Sequence, residues 1–306
     1  MNVIVVGASG LLGSAVARAN PGCIKLSSKH FDATDTHMTE NWFLEHRDLV
    51  ENSVIHVCCG RVAGIGGQRD YSMFSENMRM AMNVLESASK YQKQGTTVYY
   101  SSSCVYPAHL DVFEESDMLK GPFELSNEGY AFAKAAGQRL CQYLNKHLGR
   151  KQFVTIIPPN LWGDNDNWNI ETCHVLPALT QRILSAKREQ QPVLQVWGRP
   201  ETRREFLCSN DVASGAKAFL STTNTIESVN VGYGSDISIG EIVQGLCDRI
   251  GYTGAIEYTA DRVGKTRKLL KTDIMDELGW IASTSYDDML DYMVAEADRR
   301  GLANLD

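Results

Sequence analysis

The sequence is short of positive charge, and this shortage excludes one large class of functions. It has 30 Lys and Arg against 37 Asp and Glu, a net charge of −7, and no basic run stands out against that balance. Proteins that bind nucleic acid need a basic surface, so we expect no nucleic-acid partner. A local basic pocket for a phosphorylated ligand remains compatible with this composition.

Long apolar runs and metal-binding cysteine pairs are also missing. No apolar run approaches the length of about 20 residues needed to cross a bilayer. The N-terminal stretch MNVIVVGASG has neither the basic segment nor the cleavage site of a signal peptide. The 8 cysteines are scattered without a CxxC pair, which argues against a structural zinc site. We therefore predict a cytoplasmic protein with reduced thiols, no membrane partner and no metal.

Short apolar runs alternate with helical segments over the first half of the chain. This β-α-β alternation predicts an α/β fold, a Rossmann-type doubly wound parallel sheet with a smaller α/β substrate-binding domain. We expect a dinucleotide-binding domain at 1–160 plus about 206–235, and a substrate domain at about 161–205 plus 236–306. The predicted strands include 2–6, 23–27, 53–59, 98–103, 154–159, 193–197 and 229–234, and the predicted helices 11–19, 36–52, 72–93, 127–148 and 174–188.

A glycine-rich turn follows the first predicted strand. Gly7, Gly10 and Gly13 form GxxGxxG between a strand and a helix. Glycine lets the backbone turn tightly and approach a pyrophosphate, and the helix N-terminus supplies N–H donors. The context predicts dinucleotide binding, and the alternative is a structural strand-to-helix turn. The predicted contacts of this turn are Gly7, Ser9, Gly10, Leu11, Leu12 and Gly13.

The end of the second predicted strand bears on the choice between NAD and NADP. An acidic residue there would bind the ribose 2′-hydroxyl. The chain has Leu26-Ser27-Ser28-Lys29 instead, with no carboxylate before Asp32. Hydroxyls and a lysine suit a 2′-phosphate better, so we predict NADP(H) with Lys29 as a contact. The alternative is that Lys29 is a solvated surface residue.

Tyr130 and Lys134 form a YxxxK pair on one face of a predicted helix. A free tyrosine has a pKa of about 10, and a nearby ammonium should lower it, which makes tyrosine usable as a general acid or base. Ser102, at the end of a predicted strand, could orient a substrate carbonyl. Together with the glycine turn, these residues predict an oxidoreductase that uses a nicotinamide cofactor.

This combination resembles the extended short-chain dehydrogenase/reductase family. Ser102 is chosen among three adjacent serines because it lies three positions before Val105-Tyr106, as in the family's SS-x-x-VY pattern. Within that family the chain resembles the GDP-L-fucose synthases, which are GDP-4-keto-6-deoxymannose 3,5-epimerase/4-reductases. The segments that carry this resemblance are 60–65 (GRVAGI), 102–107 (SSCVYP), 127–134 (NEGYAFAK), 158–163 (PPNLWG), 173–179 (CHVLPAL), 196–198 (VWG) and 204–207 (REFL).

The resemblance implies an activity and the residues that perform it. A ketone at C4 of the sugar acidifies the hydrogens on C3 and C5, and inverting those centres needs a base and an acid. The resemblance implies Cys104 and His174 for this task, and both side chain types exchange protons near neutral pH. NADPH would then reduce C4 while Tyr130 supplies the proton, giving GDP-L-fucose from GDP-4-keto-6-deoxy-D-mannose. A homodimer through the helices 72–93 and 127–148 is also implied.

The resemblance further implies binding residues. Arg182 and Arg204 would contact the diphosphate, and Trp197 and Lys268 the nucleotide end. Asn160 would line the sugar site. The cofactor contacts implied outside the glycine turn are Lys134, Pro158, Asn160, Leu161 and His174.

Three departures from the family pattern leave alternatives open. Ser9 lies where the family often has an arginine, and Pro159 and Trp162 replace residues that are commonly Thr and Tyr. A related GDP-linked keto-heptose or dideoxy sugar, or epimerisation at a single centre, therefore stays open. A non-catalytic NADP-binding regulatory protein is the alternative from another class, and the intact YxxxK pair argues against it.

Overall fold

Strands and helices alternate along the chain much as the sequence pattern predicts. The computed structural model describes residues 1–64, 70–222, 225–259 and 265–302. The strands are β1 (Asn2–Val6), β2 (Ile24–Leu26), β3 (Ser53–Val57), β4 (Thr96–Tyr100), β5 (Val112–Phe113), β6 (Phe153–Ile157), β7 (Asn160–Trp162), β8 (Val193–Trp197), β9 (Arg203–Arg204), β10 (Phe206–Cys208), β11 (Ser228–Asn230), β12 (Ile237–Ser238), β13 (Ala255–Thr259) and β14 (Arg267–Leu270). The helices are α1 (Leu11–Ala19), α2 (Thr36–Glu45), α3 (Arg47–Val50), α4 (Ser72–Tyr91), α5 (Glu128–Leu148), α6 (Val175–Arg188), α7 (Ser209–Leu220), α8 (Ile239–Ile250), α9 (Asp273–Glu277) and α10 (Tyr286–Arg299), with 3₁₀ turns at Ser103–Val105, Glu115–Asp117 and Leu125–Asn127.

A parallel sheet of 6 strands, in the order β2-β1-β3-β4-β6-β11, forms the centre of the molecule. Its inner strands are apolar on both faces, as a sheet covered by helices requires. In β1, for example, Ile4 packs into the core on one face and Val5 into the core on the other. The predicted Rossmann-type α/β fold is confirmed. Because β2 and β3 lie on opposite sides of β1, the crevice at the carboxyl ends of these strands is where such sheets bind ligands.

Helices cover both faces of the central sheet. Helices α1 and α7 bury residues such as Val16 and Val212 on one face. Helices α2, α4 and α5 bury Phe43, Val84 and Cys141 on the other. Each fully buried side chain of the size of Val or Phe contributes about 1.5–3 kcal/mol to stability. These two layers hold the strand ends, and with them the candidate site, in fixed positions.

The predicted continuous helix over 36–52 is wrong, because the structure divides it at His46. Helix α2 ends at Glu45 and α3 begins at Arg47. The backbone of His46 has φ −105° and ψ 22°, outside the helical region. Its Nδ1 lies 2.8 Å from the carbonyl oxygen of Trp42, and its ring stacks on the Trp42 ring at 4.4 Å. The His46 N–H also donates to the Trp42 carbonyl oxygen at 3.1 Å, so this helical bond is kept and the helix ends where the His46 backbone leaves the helical region.

A second group of elements forms its own apolar core beside the central sheet. Helices α6, α8 and α10 bury residues that include Ile183, Leu246 and Met293. Three small sheets surround them, with strand orders β10-β7, β12-β9-β14-β5 and β13-β8. Strand β5 falls within the predicted dinucleotide-binding segment but pairs with β14 of the predicted substrate segment. Within the described ranges, no helix combines the length and apolar character needed to cross a bilayer.

Candidate active site

The glycine turn is fitted tightly to the strands around it. The N–H groups of Gly7 and Ala8 donate to the carbonyl oxygen of Leu26 at 2.8 and 2.9 Å, which joins the turn to the end of β2. Gly7 has a φ of 87°, and a Cβ added there would lie 2.6 Å from the backbone N of Cys59. A Cβ on Gly13 would lie 2.0 Å from the carbonyl oxygen of Gly7. Both glycines are therefore required by the fold itself.

Gly10 differs from its two neighbours in the motif. Apart from its two neighbours in the chain, a Cβ added there would have one contact among the described residues, the carbonyl oxygen of Gly7 at 3.7 Å. Gly10 also precedes α1 without any side-chain cap on the helix amides. The fold thus leaves open space directly before a helix N-terminus, and this arrangement fits a pyrophosphate.

The turn after β2 holds the residues predicted to select the cofactor. Lys29 is exposed, and its backbone N–H donates to the Ser27 hydroxyl at 3.4 Å. His30 was not singled out from the sequence, although its Nδ1 lies 3.3 Å from the Ser27 hydroxyl oxygen. Its closeness to the strand end was the only signal that could have identified it.

Ser102, Tyr130 and Lys134 meet at the carboxyl end of β4. The Ser102 hydroxyl lies close enough to the Tyr130 phenol to oppose the rise in the pKa of Tyr130 that burial causes. The ammonium of Lys134 donates to the carbonyl oxygen of Tyr100 at 2.9 Å, and it lies 5.8 Å from the centre of the Tyr130 ring. The three side chains predicted as catalytic at this point therefore lie close together, with Tyr130 and Lys134 buried and Ser102 half-buried.

The expected lowering of the Tyr130 pKa by Lys134 is wrong for this structure. Burial raises the pKa of Tyr130 well above its usual value, Cys104 raises it further, and the Ser102 hydroxyl opposes the rise. Burial also lowers the pKa of Lys134, against the influence of Cys59 and Cys58. The physical reason is that the ammonium is held by the Tyr100 carbonyl beside these thiols, so desolvation decides the state of the phenol.

Cys104 lies in the 3₁₀ turn that follows Ser102. Its backbone N–H donates to the Ser102 hydroxyl oxygen at 3.2 Å. Its side chain packs against Tyr130, Ala63 and Met73. Ser102 therefore contacts both Cys104 and Tyr130, and it brings a thiol and a phenol to the same place.

His174 lies at the N-terminal end of α6, and burial lowers the pKa of its imidazole. One short segment connects its loop with the Tyr130 pocket. Ala63 packs against Tyr130, and the next residue, Gly64, donates its N–H to the carbonyl oxygen of Thr172 at 2.8 Å. The last residue of the predicted segment 60–65, Ile65, lies outside the described residues.

Two of the predicted substrate residues lie in a cluster of charge near Cys104. Lys268 forms an ion pair with Glu124. Arg204 donates to the carbonyl oxygens of Arg203 and Lys265 at 2.8 and 2.7 Å, and it interacts electrostatically with Glu124 and Cys104. A narrow crevice lies between these elements, and its lining includes Cys104, Glu124, Lys265 and Lys268. No local motif marked Glu124 or Lys265 in the sequence.

Arg182 and Trp197 form a separate pair on α6 and β8. The guanidinium carbon lies 4.6 Å from the centre of the Trp197 ring, and Arg182 donates to the carbonyl oxygen of Gln195. Trp197 is 57% exposed, so it is not part of the core. An exposed aromatic face beside a cation is a suitable surface for a flat ring.

The remaining predicted residues follow β6. The carbonyl oxygen of Pro158 accepts a hydrogen bond from the Ser103 N–H at 3.0 Å. Asn160 is exposed, and its side-chain amide donates to the carbonyl oxygen of Glu205 at 2.8 Å. Leu161 pairs with Leu207 across β7 and β10. Among the described residues, no group of three or more His, Cys, Asp or Glu is arranged to hold a metal ion.

Comparison with known proteins places the chain among nucleotide-sugar enzymes. Residues 3–232 match the NAD dependent epimerase/dehydratase family. The chain is 31% identical over 289 residues to the GDP-L-colitose synthase of Yersinia pseudotuberculosis, which covers 92% of both chains. It is 32% identical over 294 residues to the GDP-L-fucose synthase of Azorhizobium caulinodans, which covers 93% of this chain and 92% of that one. A GDP-6-OMe-4-keto-L-xylo-heptose reductase from C. jejuni has the same fold, with a TM-score of 0.85, 20% identity, and coverage of 98% of this chain and 97% of that chain.

Proposed function

This chain belongs to the NAD dependent epimerase/dehydratase family, and from that premise we propose that it is an NADP(H)-dependent epimerase and reductase of a GDP-linked 4-keto sugar. The substrate that we propose is GDP-4-keto-6-deoxy-D-mannose, converted to GDP-L-fucose by epimerisation at C3 and C5 and reduction at C4. The single observation that carries this proposal is the contact of Ser102 with both Cys104 and Tyr130. This contact supports the proposal because groups suited to two different proton transfers could then act on one substrate carbonyl.

Tyr130 serves as the proton donor at the C4 oxygen. Because burial raises the pKa of Tyr130, the phenol is protonated at neutral pH, which is the state that can donate. Ser102 hydrogen-bonds the same carbonyl oxygen and orients it. Lys134, fixed on the Tyr100 carbonyl, supplies positive charge beside the phenol ring. NADPH, when bound, supplies the hydride for this reduction.

Cys104 and His174 invert the centres next to the ketone. The Cys104 thiolate takes a proton from carbon, so a C–H bond breaks, an S–H bond forms and the electron pair moves to the C4 oxygen. Tyr130 and Ser102 stabilise the resulting enolate by hydrogen bonds. His174 returns a proton to the opposite face; because burial lowers the pKa of His174 and favours the neutral imidazole, the ring takes this proton up before it donates it.

The glycine turn and the turn after β2 hold the cofactor in this proposal. The open space at Gly10 and the uncapped start of α1 suit the pyrophosphate. Ser27, Lys29 and His30 offer polar groups to a 2′-phosphate, where an enzyme specific for NAD would use a carboxylate.

The charged cluster beside Cys104 supports a diphosphate as part of the substrate. Arg204, Lys265 and Lys268 lie near the Glu124 carboxylate, and Asp111 is also close to Lys265. Three positive groups thus face two negative ones, which leaves positive charge in excess. Arg182 and Trp197 offer a cation and an exposed aromatic face to the nucleotide end. Asn160 is proposed to line the sugar site.

A related GDP-linked sugar is the second candidate substrate. The GDP-L-colitose synthase relative is about as similar to this chain as the GDP-L-fucose synthase relative. Pro159 and Trp162 replace residues that are commonly Thr and Tyr in the fucose synthases. A keto-heptose or dideoxy sugar in the same pocket would use the same acid and base groups.

The proposal is tested by mixing the purified protein with NADPH and each candidate GDP-keto-sugar. We expect loss of NADPH absorbance with at least one of them, and NMR of the product identifies the sugar.

Tyr130→Phe should abolish reduction, while Tyr143→Phe, which changes an exposed tyrosine on the same helix, should not. Cys104→Ser should suppress deuterium uptake from solvent at C3 and C5, and Cys23→Ser should not. If NADPH is not consumed with any GDP-keto-sugar, the proposed function is wrong.

We also propose a homodimer formed through α4 and α5. These helices pack against each other, and their outer faces carry exposed apolar side chains. Tyr71, Phe74 and Met82 are exposed at or on α4, and Phe132 and Tyr143 on α5. Phe74 and Phe132 pack edge to face within one copy, with ring centres 5.7 Å apart, and a bundle with a second copy would bury the apolar surface that stays exposed.

A further inference from the structure

Asn127 occupies the N-cap position of α5 but does not cap it. Asparagine is among the most favoured N-cap residues, because its side-chain oxygen can accept a hydrogen bond from the first helical N–H groups. In this structure the helix Glu128–Leu148 receives no side-chain hydrogen bond from Asn127. The Asn127 amide nitrogen instead donates to the sulfur of Cys104 at 3.0 Å.

The orientation of this amide leaves its other end unsatisfied. The Oδ1 atom of Asn127 is buried and has no hydrogen-bond partner among the described residues. Buried polar atoms without a partner are uncommon and unfavourable. Asn127 thus neither caps α5 nor has a partner for its Oδ1 atom, while its N–H donates to the Cys104 sulfur. Departures of this kind from local stability concentrate at functional sites.

We propose that Asn127 is a positioning residue for Cys104, which holds the sulfur in place and favours its thiolate by hydrogen bonding. The inference rests on the proposed role of Cys104 in epimerisation. A hydrogen bond to the charged form of a group stabilises that form, and bonds to ionised groups are stronger than neutral ones. The donated bond also fixes the rotamer of the sulfur beside Tyr130.

Other groups around Cys104 do not replace this contact. Arg204 interacts electrostatically with Cys104 but donates to the carbonyl oxygens of Arg203 and Lys265. The hydroxyl oxygen of Ser102 accepts from the backbone N–H of Cys104, so it bonds the main chain and leaves the sulfur to Asn127.

The test measures alkylation of Cys104 by iodoacetamide at neutral pH, resolved by peptide mass spectrometry. Asn127→Ser keeps a residue that caps helices well but removes the amide donor, and Asn127→Asp is isosteric but has no N–H. We expect Cys104 to react about tenfold more slowly in both variants, since a bond to a charged group is lost. Their melting temperatures should equal or exceed that of the parent protein, because Ser and Asp both cap helices.

The matched control is Asn83→Ser, which removes a buried asparagine that bonds Thr36 and Ala33 instead of a thiol. It should lower the melting temperature and leave the alkylation rate of Cys104 unchanged. An unchanged or faster alkylation rate in both Asn127 variants overturns the inference.

A second measurement separates this inference from the proposed function. In the Asn127 variants, deuterium uptake at C3 and C5 of the sugar should fall by about the same factor as the alkylation rate, while NADPH binding is retained. If the parent protein exchanges no deuterium with any GDP-keto-sugar but the alkylation rates still respond, then the epimerase proposal fails and the contact between Asn127 and Cys104 stands.

Discussion

Glu205 holds three separate segments of the chain beside the candidate site. It is 1% exposed. One carboxylate oxygen accepts from the N–H groups of Tyr233 and Gly234 at 2.6 and 3.0 Å, and the other accepts from the N–H of Leu270 at 2.8 Å. Its own carbonyl oxygen accepts from Asn160. Burial raises the pKa of Glu205 to about 7, although the backbone hydrogen bonds oppose the rise.

This raised pKa predicts how Glu205→Gln changes the dependence of stability on pH. A carboxyl with a higher pKa in the folded state binds its proton more tightly there than in the unfolded state. The stability that the protonated Glu205 carboxyl adds to the folded state is therefore fully present below its ordinary pKa of 4.5. It is lost as the pH rises to the folded-state pKa of about 7. We expect the parent protein to lose about 3 kcal/mol of unfolding free energy over this interval relative to Glu205→Gln. Denaturant unfolding at several pH values measures this difference, and parallel curves for the two proteins would contradict it.

Motif spacing predicted that the glycine turn and Ser102 follow strand ends and that Tyr130 lies near the start of a helix, and the structure has them at these positions. Their catalytic and binding roles stay predictions. The direction of the Tyr130 pKa shift could not be predicted this way. It depends on burial and on the carbonyl that holds Lys134, and both come from distant parts of the chain. The contact of Asn127 with Cys104 was hidden for a similar reason, since a sequence shows only a favourable helix cap.

At the scale of elements, Gly10 and Gly13 belong to one motif at the start of α1 but have different surroundings. Gly13 packs against the carbonyl oxygen of Gly7, whereas Gly10 faces open space. The helix boundaries at Leu11 and Ala19 were predicted correctly from the pattern. The break at His46 was not, because it depends on the stacking of His46 on Trp42.

The pair of variants Gly10→Ala and Gly13→Ala should separate folding from cofactor binding. In Gly10→Ala the new methyl group meets only an ordinary contact at 3.7 Å, so we expect a melting temperature close to that of the parent protein and NADPH binding weakened at least tenfold. In Gly13→Ala the methyl group would lie 2.0 Å from a carbonyl oxygen, so the turn must shift and stability should fall by about 1–3 kcal/mol. Thermal unfolding and fluorescence titration with NADPH measure both effects. Tight NADPH binding by Gly10→Ala would argue against a pyrophosphate at this turn.

At the scale of the whole molecule, the proposed homodimer depends on the outer faces of α4 and α5. Exposed aromatic residues concentrate there, while the chain as a whole carries a net charge of −7. Charge repulsion between copies must be offset by apolar contact, so a single added charge in the interface should have a large effect.

Tyr143→Glu should convert the proposed dimer into a monomer. Tyr143 is 65% exposed, so the substitution leaves the fold of one copy nearly unchanged. Sedimentation should show twice the chain mass of 34.0 kDa for the parent protein and the single mass for the variant. Ile281→Glu, which alters an 80% exposed apolar residue away from these helices, should stay dimeric. A parent protein that sediments only at the chain mass would rule out the dimer.

Gly64 sets the distance between the segment that packs against Tyr130 and the loop that precedes His174. A Cβ at this position would lie 2.2 Å from the carbonyl oxygen of Cys173, so the backbones of the two segments are in direct contact. Because Gly64 has no side chain, the backbone alone sets this distance. We therefore expect the separation of Tyr130 from His174 to stay the same when nearby side chains are exchanged. Under the proposed function, side chains that contact the sugar could therefore be exchanged while the spacing of Tyr130 and His174 is kept. The proposed chemistry and the choice of sugar would then be set by different parts of the chain.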